Sequence, residues 1–195
     1  MFGIFLDTEA NGLDPKVHRL IEVAYTVIDL LTGTEISSYH SVIFQDEKTF
    51  EKSNMESLKV NGFTYDEVKK GKFEKEILKD ILVNFKKFKL SNENAIFICQ
   101  NPSFDRIFLS QIVDVETQNL ENWPYHWLDL ASMFFSISMK NYKDDKNFLP
   151  WEIGLSKDSI ASFYKIPKEK KPHKAKNGVA HLLLCYKTIV GFPCN

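Results

Sequence analysis

The chain has 195 residues, 44% of them hydrophobic, with 25 basic against 26 acidic side chains. That is enough for one domain with a substantial core. Its near-zero net charge excludes a protein that coats nucleic acid by bulk charge, but not one that grips a few phosphates locally.

Three cysteines, Cys99, Cys185 and Cys194, have neither paired nor metal-type spacing. They argue against a disulfide framework or a zinc site and fit a reducing, cytoplasmic setting. No apolar run reaches membrane-spanning length, and the amino-terminal run lacks the basic flank of a signal peptide. No membrane partner is expected.

Phe2 to Leu6 is a continuous apolar run, the pattern of a buried strand. It ends in Asp7 and Glu9, which period-two alternation puts on one face. Two like charges so close repel unless a cation sits between them, and hard divalent ions take oxygen ligands. The plainer alternative is a strand that ends in solvent-facing acids. Arg19 to Asp29 reads as a second, mostly buried strand, and Ile36 to Phe44 as a third. A hairpin turn at residues 31–34 joins them, so the second strand runs antiparallel to its neighbours.

Residues 45–91 are charged and read as helical. A short helix from Phe50 to Val60 closes at Asn61 and Gly62, a turn covers Tyr65 to Lys69, and an amphipathic helix runs from Phe73 to Phe88. The lysines of this segment read as a solvated helix face in preference to a phosphate track. Asn94 to Cys99 is another buried strand, running into a helix from Pro102 to Val113. Asp105 stands in that helix's first turn, either as a third carboxylate meeting Asp7 and Glu9 or as an acid answering the helix dipole.

Tyr125 to Leu130 predicts a fifth strand, Leu130 to Met139 a helix, and residues 140–149 a polar loop. Ser156 caps a helix ending at Tyr164, Ile166 to Pro172 is a basic loop, and Gly178 to Ile189 is the last helix, preceded by His173. The order predicts a single α/β domain. Its five-stranded sheet is mixed, with the second strand antiparallel and helices on both faces.

Three segments in this order resemble a known family: Asp7-Thr8-Glu9 with Gly12, then Asn101 to Asp105, then His173 ahead of the last helix. They are similar to the DEDDh branch of the DnaQ-like 3′–5′ exonucleases, which have an RNase H-like fold and include the epsilon proofreading subunit of bacterial DNA polymerase III. The resemblance covers residues 2–189. It implies an exonuclease of the proofreading or repair type that hydrolyses phosphodiesters at nucleic-acid 3′ ends, DNA favoured.

Under that resemblance Asp7, Glu9 and Asp105 hold two Mg²⁺ or Mn²⁺ ions, and His173 deprotonates the attacking water. Ala10, Leu13, Asn101 and Phe104 surround the terminal nucleotide of a single strand. Two cations about 3.5–4 Å apart stabilise both the attacking and the leaving oxygen, and a histidine titrates near neutral pH. Relatives of this kind occur as DNA polymerase subunits and as homodimers, so these are the protein partners implied.

One departure stands out. The family's third motif places an Asp five residues after the His, where this chain has Gly178. Affinity for at least one metal should fall, and Gly178→Asp should raise activity if the missing carboxylate is the limiting defect. His181, Asp144 and Asp145 are the substitutes the sequence offers. A milder departure is Asn61, where the family has a loop His. Two readings follow: a working exonuclease with a weakened metal site, or a catalytically inactive nucleic-acid-binding or polymerase-docking module. The joint presence of Asp7, Glu9, Asp105 and His173 favours the enzyme, because unneeded charges at a crowded strand end are unfavourable.

Overall fold

The computed structural model describes residues 1–142 and 149–194; Asp144 and Asp145 lie outside them. Strands β1 (Phe2–Ala10), β2 (Leu20–Asp29) and β3 (Glu35–Val42) open the chain, and β4 (Ala95–Cys99) and β5 (Trp127–Asp129) follow later. They form one sheet in the order β3-β2-β1-β4-β5. β2 is antiparallel to both β1 and β3, while β4 is parallel to β1 and β5 to β4. The predicted mixed sheet is the one that forms. The β2–β3 hairpin closes where the Leu31 N–H donates to Asp29 Oδ1 at 2.8 Å, with Gly33 taking the left-handed position of the turn at φ 73.

The second strand's place beside β1 puts β1 at the middle of the sheet, buried on both faces. Ile4 and Leu6 enter one core with Val23, Tyr25, Phe85 and Phe97. Phe5 enters the other with Leu130, Leu182 and Tyr186. Helices α4 (Glu74–Phe88) and α5 (Pro102–Leu109) cover the first face; α7 (Leu130–Lys140), α9 (Lys157–Phe163) and α10 (Ala175–Ile189) cover the second. The same alternation, continued past Leu6, sends Thr8 to the α5 face and Asp7 and Glu9 to the α10 face.

Several helices differ from expectation, each for a local reason. The helix expected over Phe50 to Val60 is two pieces, α1 (Glu47–Phe50) and α2 (Met55–Asn61). Asp46 caps the first through the Thr49 N–H, and Asn54 restarts the chain by accepting from the Ser57 N–H. α3 (Tyr65–Val68) carries a capping box of Thr64 and Glu67. α5 stops at Leu109, and Asp114 caps a separate α6 (Val115–Leu120). A short α8 (Pro150–Ile153) starts on a proline. α10 begins at Ala175, three residues before the predicted start, so Gly178 lies inside its first turn.

Candidate active site

The end of β1 meets the start of α10 because a neighbouring strand holds that helix by its first residue. Glu22 on β2 pairs in register with Glu9 and is 2% exposed. Its Oε2 accepts the Ala175 N–H at 2.7 Å, and its Oε1 lies 2.6 Å from His40 Nε2. A carboxylate at a helix start satisfies an otherwise orphaned donor and complements the dipole. The His173 N–H adds a second tie, donating to the Val60 carbonyl at 3.1 Å.

Pinned this way, α10 presents Gly178 directly to Asp7. A Cβ at residue 178 would lie 2.1 Å from Asp7 Oδ2. The missing side chain is therefore what lets the Asp7 carboxylate rest against the helix backbone. The position lacks more than a carboxylate: any side chain there requires Asp7 to move. An aspartate at 178 would have to displace Asp7 from its present position.

A charged pair that the sequence reading passed over completes this side. Lys157 Nζ lies 3.5 Å from Asp7 Oδ1 and 2.7 Å from Glu169 Oε2, and donates to the Gly178 carbonyl at 3.3 Å. Glu169 is 6% exposed. Its Oε1 lies 3.3 Å from His173 Nδ1, and its Oε2 3.9 Å from His181 Nδ1. Two signals were available. Lys157 is the first residue of α9, where a cation opposes the dipole, and Glu169 is the lone acid of the stretch read as a basic loop. His181, one of the offered substitutes, turns toward that loop, with Nε2 2.8 Å from the Pro167 carbonyl.

On the other face, Asp105 is 3% exposed, and its Oδ1 accepts the Thr8 hydroxyl at 2.8 Å. Asn101 precedes α5 in the left-handed region at φ 58, a conformation asparagine tolerates. Its N–H donates to Asp129 Oδ1 at 3.0 Å, and its side-chain oxygen accepts the Ser103 hydroxyl at 2.7 Å. Asn61 donates to the Ala10 carbonyl at 3.0 Å, fixing the last turn of β1. Beside Glu9 opens a groove of about 340 Å³ lined by Ala10, Leu13, Val60, Asn61 and Phe104. Three of the four residues expected around a nucleotide line this groove; Asn101 does not.

The carboxylates are crowded and poorly solvated. Burial raises Asp7 to about 6, with Lys157 opposing the rise and Glu169 adding to it. Glu9 is pushed up to about 8 by burial, then by Asp7, Glu22 and Glu169. Burial, with Asp7 next, holds Asp105 well above the usual carboxylate range. For Lys157 burial disfavours the charge, but Asp7 and Glu169 outweigh it and hold the ammonium above its ordinary value. Among the described residues, no three His, Cys, Asp or Glu side chains are grouped as a metal cage. The positive charge beside Asp7 belongs to Lys157.

A mixed sheet in this order, with acids at the end of its central strand and a histidine ahead of the last helix, defines an exonuclease-type domain of RNase H-like fold. The chain belongs to the RNase T exonuclease family, whose model matches residues 4–176. No curated protein matches the chain.

Among solved structures it is similar to E. coli exonuclease I in complex with a dT13 oligonucleotide. The TM-score is 0.70 at 16% identity, over 96% of this chain and 41% of that one. The zinc-bound form of the E. coli exonuclease I complex with single-stranded DNA gives 0.70 at 15%, over 96% and 40%. A full-length 3′-exonuclease gives 0.70 at 12%, over 94% and 58%. At these identities the likeness shows the fold, and this chain spans about two-fifths of the length of exonuclease I.

Proposed function

We propose that the protein is a divalent-metal-dependent 3′–5′ exonuclease acting on the 3′ ends of single-stranded nucleic acid, DNA favoured, of the proofreading or repair type. The observation that carries the reading is the gathering of acids around Asp7 at the end of the central strand: Asp7 and Glu9 half-buried on one face, Asp105 buried on the other, beside an open groove. Burial raises all three, and Asp7 adds to the rise of Glu9 and of Asp105, as expected of a site that receives positive charge. The oligonucleotide and zinc seen with exonuclease I belong to that protein, and they support the same reading here.

Asp7, Glu9 and Asp105 would hold the metal. An all-oxygen donor set fits a hard dication such as Mg²⁺ or Mn²⁺. A bound dication supplies an acidified water and neutralises charge on the phosphate. The chain's own residues do the rest. Glu169 Oε1, 3.3 Å from His173 Nδ1, would orient that ring from the side away from the water. Glu169 is thus a positioning residue, and His173 the base. Leu13, 75% exposed, and Phe104 offer the groove an apolar wall for the terminal nucleoside, and stacking of this kind tolerates any base.

One observation favours a second reading, an inactive nucleic-acid-binding or polymerase-docking module: Asp7 already has a cationic partner in Lys157. The deciding experiment incubates a 5′-labelled single strand with the protein in Mg²⁺ and then in Mn²⁺. A ladder shortening from the 3′ end, absent in Asp7→Asn, supports the exonuclease. Retained strand binding with no cleavage in either metal supports the module.

A further inference from the structure

We infer that Lys157, held by Glu169, is a built-in cation that takes the place of one metal ion, so that this site binds a single divalent cation. The inference deepens the exonuclease reading and rests on it. Three contacts place the ammonium: Asp7 Oδ1 at 3.5 Å, Glu169 Oε2 at 2.7 Å and the Gly178 carbonyl at 3.3 Å. They come from β1, from the loop before α10, and from the turn of α10 where the family's third-motif aspartate would stand. The positive charge therefore sits on the side of Asp7 that lost its fourth carboxylate.

The geometry explains how the loss is tolerated. Without a side chain at 178, Asp7 Oδ2 packs against the helix, and Oδ1 faces the ammonium. An ammonium 3.5 Å from Asp7 Oδ1 stands farther out than the roughly 2.0–2.1 Å at which a hard dication takes a carboxylate oxygen, but its charge repels a second dication from that side of Asp7.

Glu169 makes this stable. It is buried, and neither of its oxygens has a hydrogen bond of good geometry among the described residues. Its charge is answered by Lys157, with the His173 ring beside its other oxygen. Lys157 opposes the dipole of its own helix, a local penalty that a surface lysine would escape by pointing outward. Its side chain is instead only 12% exposed. An ammonium neutralises charge but cannot acidify a bound water, so that chemistry would have to come from a dication held by the remaining carboxylates.

The test counts ions in the metal-stripped full-length chain by Mn²⁺ titration, read by electron paramagnetic resonance and calorimetry. Wild type should bind one Mn²⁺ per chain. Lys157→Met, close in size but uncharged, should bind a second ion or bind the first at least about tenfold more tightly. Lys157→Arg should behave as wild type. Two ions in wild type overturn the inference and leave the exonuclease reading intact, as does a Lys157→Met variant that matches wild type. No bound Mn²⁺ in wild type removes the metal reading itself. Should circular dichroism show Lys157→Met unfolded, the wild-type stoichiometry decides alone.

Discussion

The two faces of β1 handle buried acid in opposite ways. Toward α5, Asp105 is buried and answered by an uncharged group, the Thr8 hydroxyl, which donates to one of its oxygens. Toward α10, Asp7 is answered by charge, through Lys157 and then Glu169, with His173 beside Glu169. A hydroxyl partner needs only local geometry. A chain of buried charges depends on each member, because removing one strands its partner without solvent.

The comparison can be broken most severely at Glu22, which joins α10 to the sheet on the charged side. Glu22→Ala strands the Ala175 N–H and removes the carboxylate beside His40. A loss of about 3–5 kcal/mol is expected in urea unfolding. A loss under about 1 kcal/mol would show that α10 is held by packing alone.

Gly178→Ala puts a Cβ 2.1 Å from Asp7 Oδ2. It should cost about 1–3 kcal/mol of stability, with cleavage falling more than stability because Asp7 must turn. Wild-type cleavage in this variant would mean that Asp7 does not need its present pose.

The charged side should also answer to pH. In the unfolded chain Asp7 and Glu9 return to 3.8 and 4.5; in the folded protein they titrate at about 6 and about 8. The folded state therefore keeps protons that the unfolded state has released. The stability these groups contribute is complete below the unfolded values and is lost as pH rises through 6 and then 8. In EDTA the melting temperature should fall by on the order of 5 °C from about pH 5 to about pH 8.5. Mn²⁺ should flatten the curve, since a bound cation favours the ionised acids. A flat profile without metal would show that these carboxylates are better solvated than the fold implies.

The smallest effect belongs to the neutral side. Thr8→Val removes the hydroxyl from Asp105 with little change of shape, and should cost about 1 kcal/mol. A loss as large as that of Glu22→Ala would erase the contrast between the two faces.

What could be read from the sequence follows the same division. The positions of Asp7 and Glu9 on a strand end and of Asp105 in a helix's first turn were legible because strand alternation and helix-start chemistry are written in neighbouring residues. The sheet order followed from three consecutive strands and two later apolar runs. Lys157 and Glu169 left only faint signals, a lysine at a helix start and a lone acid in a basic loop. The contact that gives Lys157 its meaning joins it to a residue 150 positions earlier in the chain. Glu22 stands in a mostly apolar strand, and only its pairing with the Ala175 N–H, 153 positions away, reveals its use. Gly178 was noticed for the carboxylate it lacks, while the reason a glycine fits there required the position of Asp7.

The bare backbone at residue 178 also fixes the order in which this site can be changed. An aspartate placed there by itself meets the Asp7 carboxylate at contact distance while Lys157 still holds the neighbouring space. A lysine removed by itself leaves Glu169 buried without its counterion. Each single step is unfavourable, and the two substitutions should be strongly non-additive, in the sense that each lessens the other's harm. Re-engineering the site toward a fourth carboxylate therefore calls for paired replacement at 157 and 178, not for one corrective mutation.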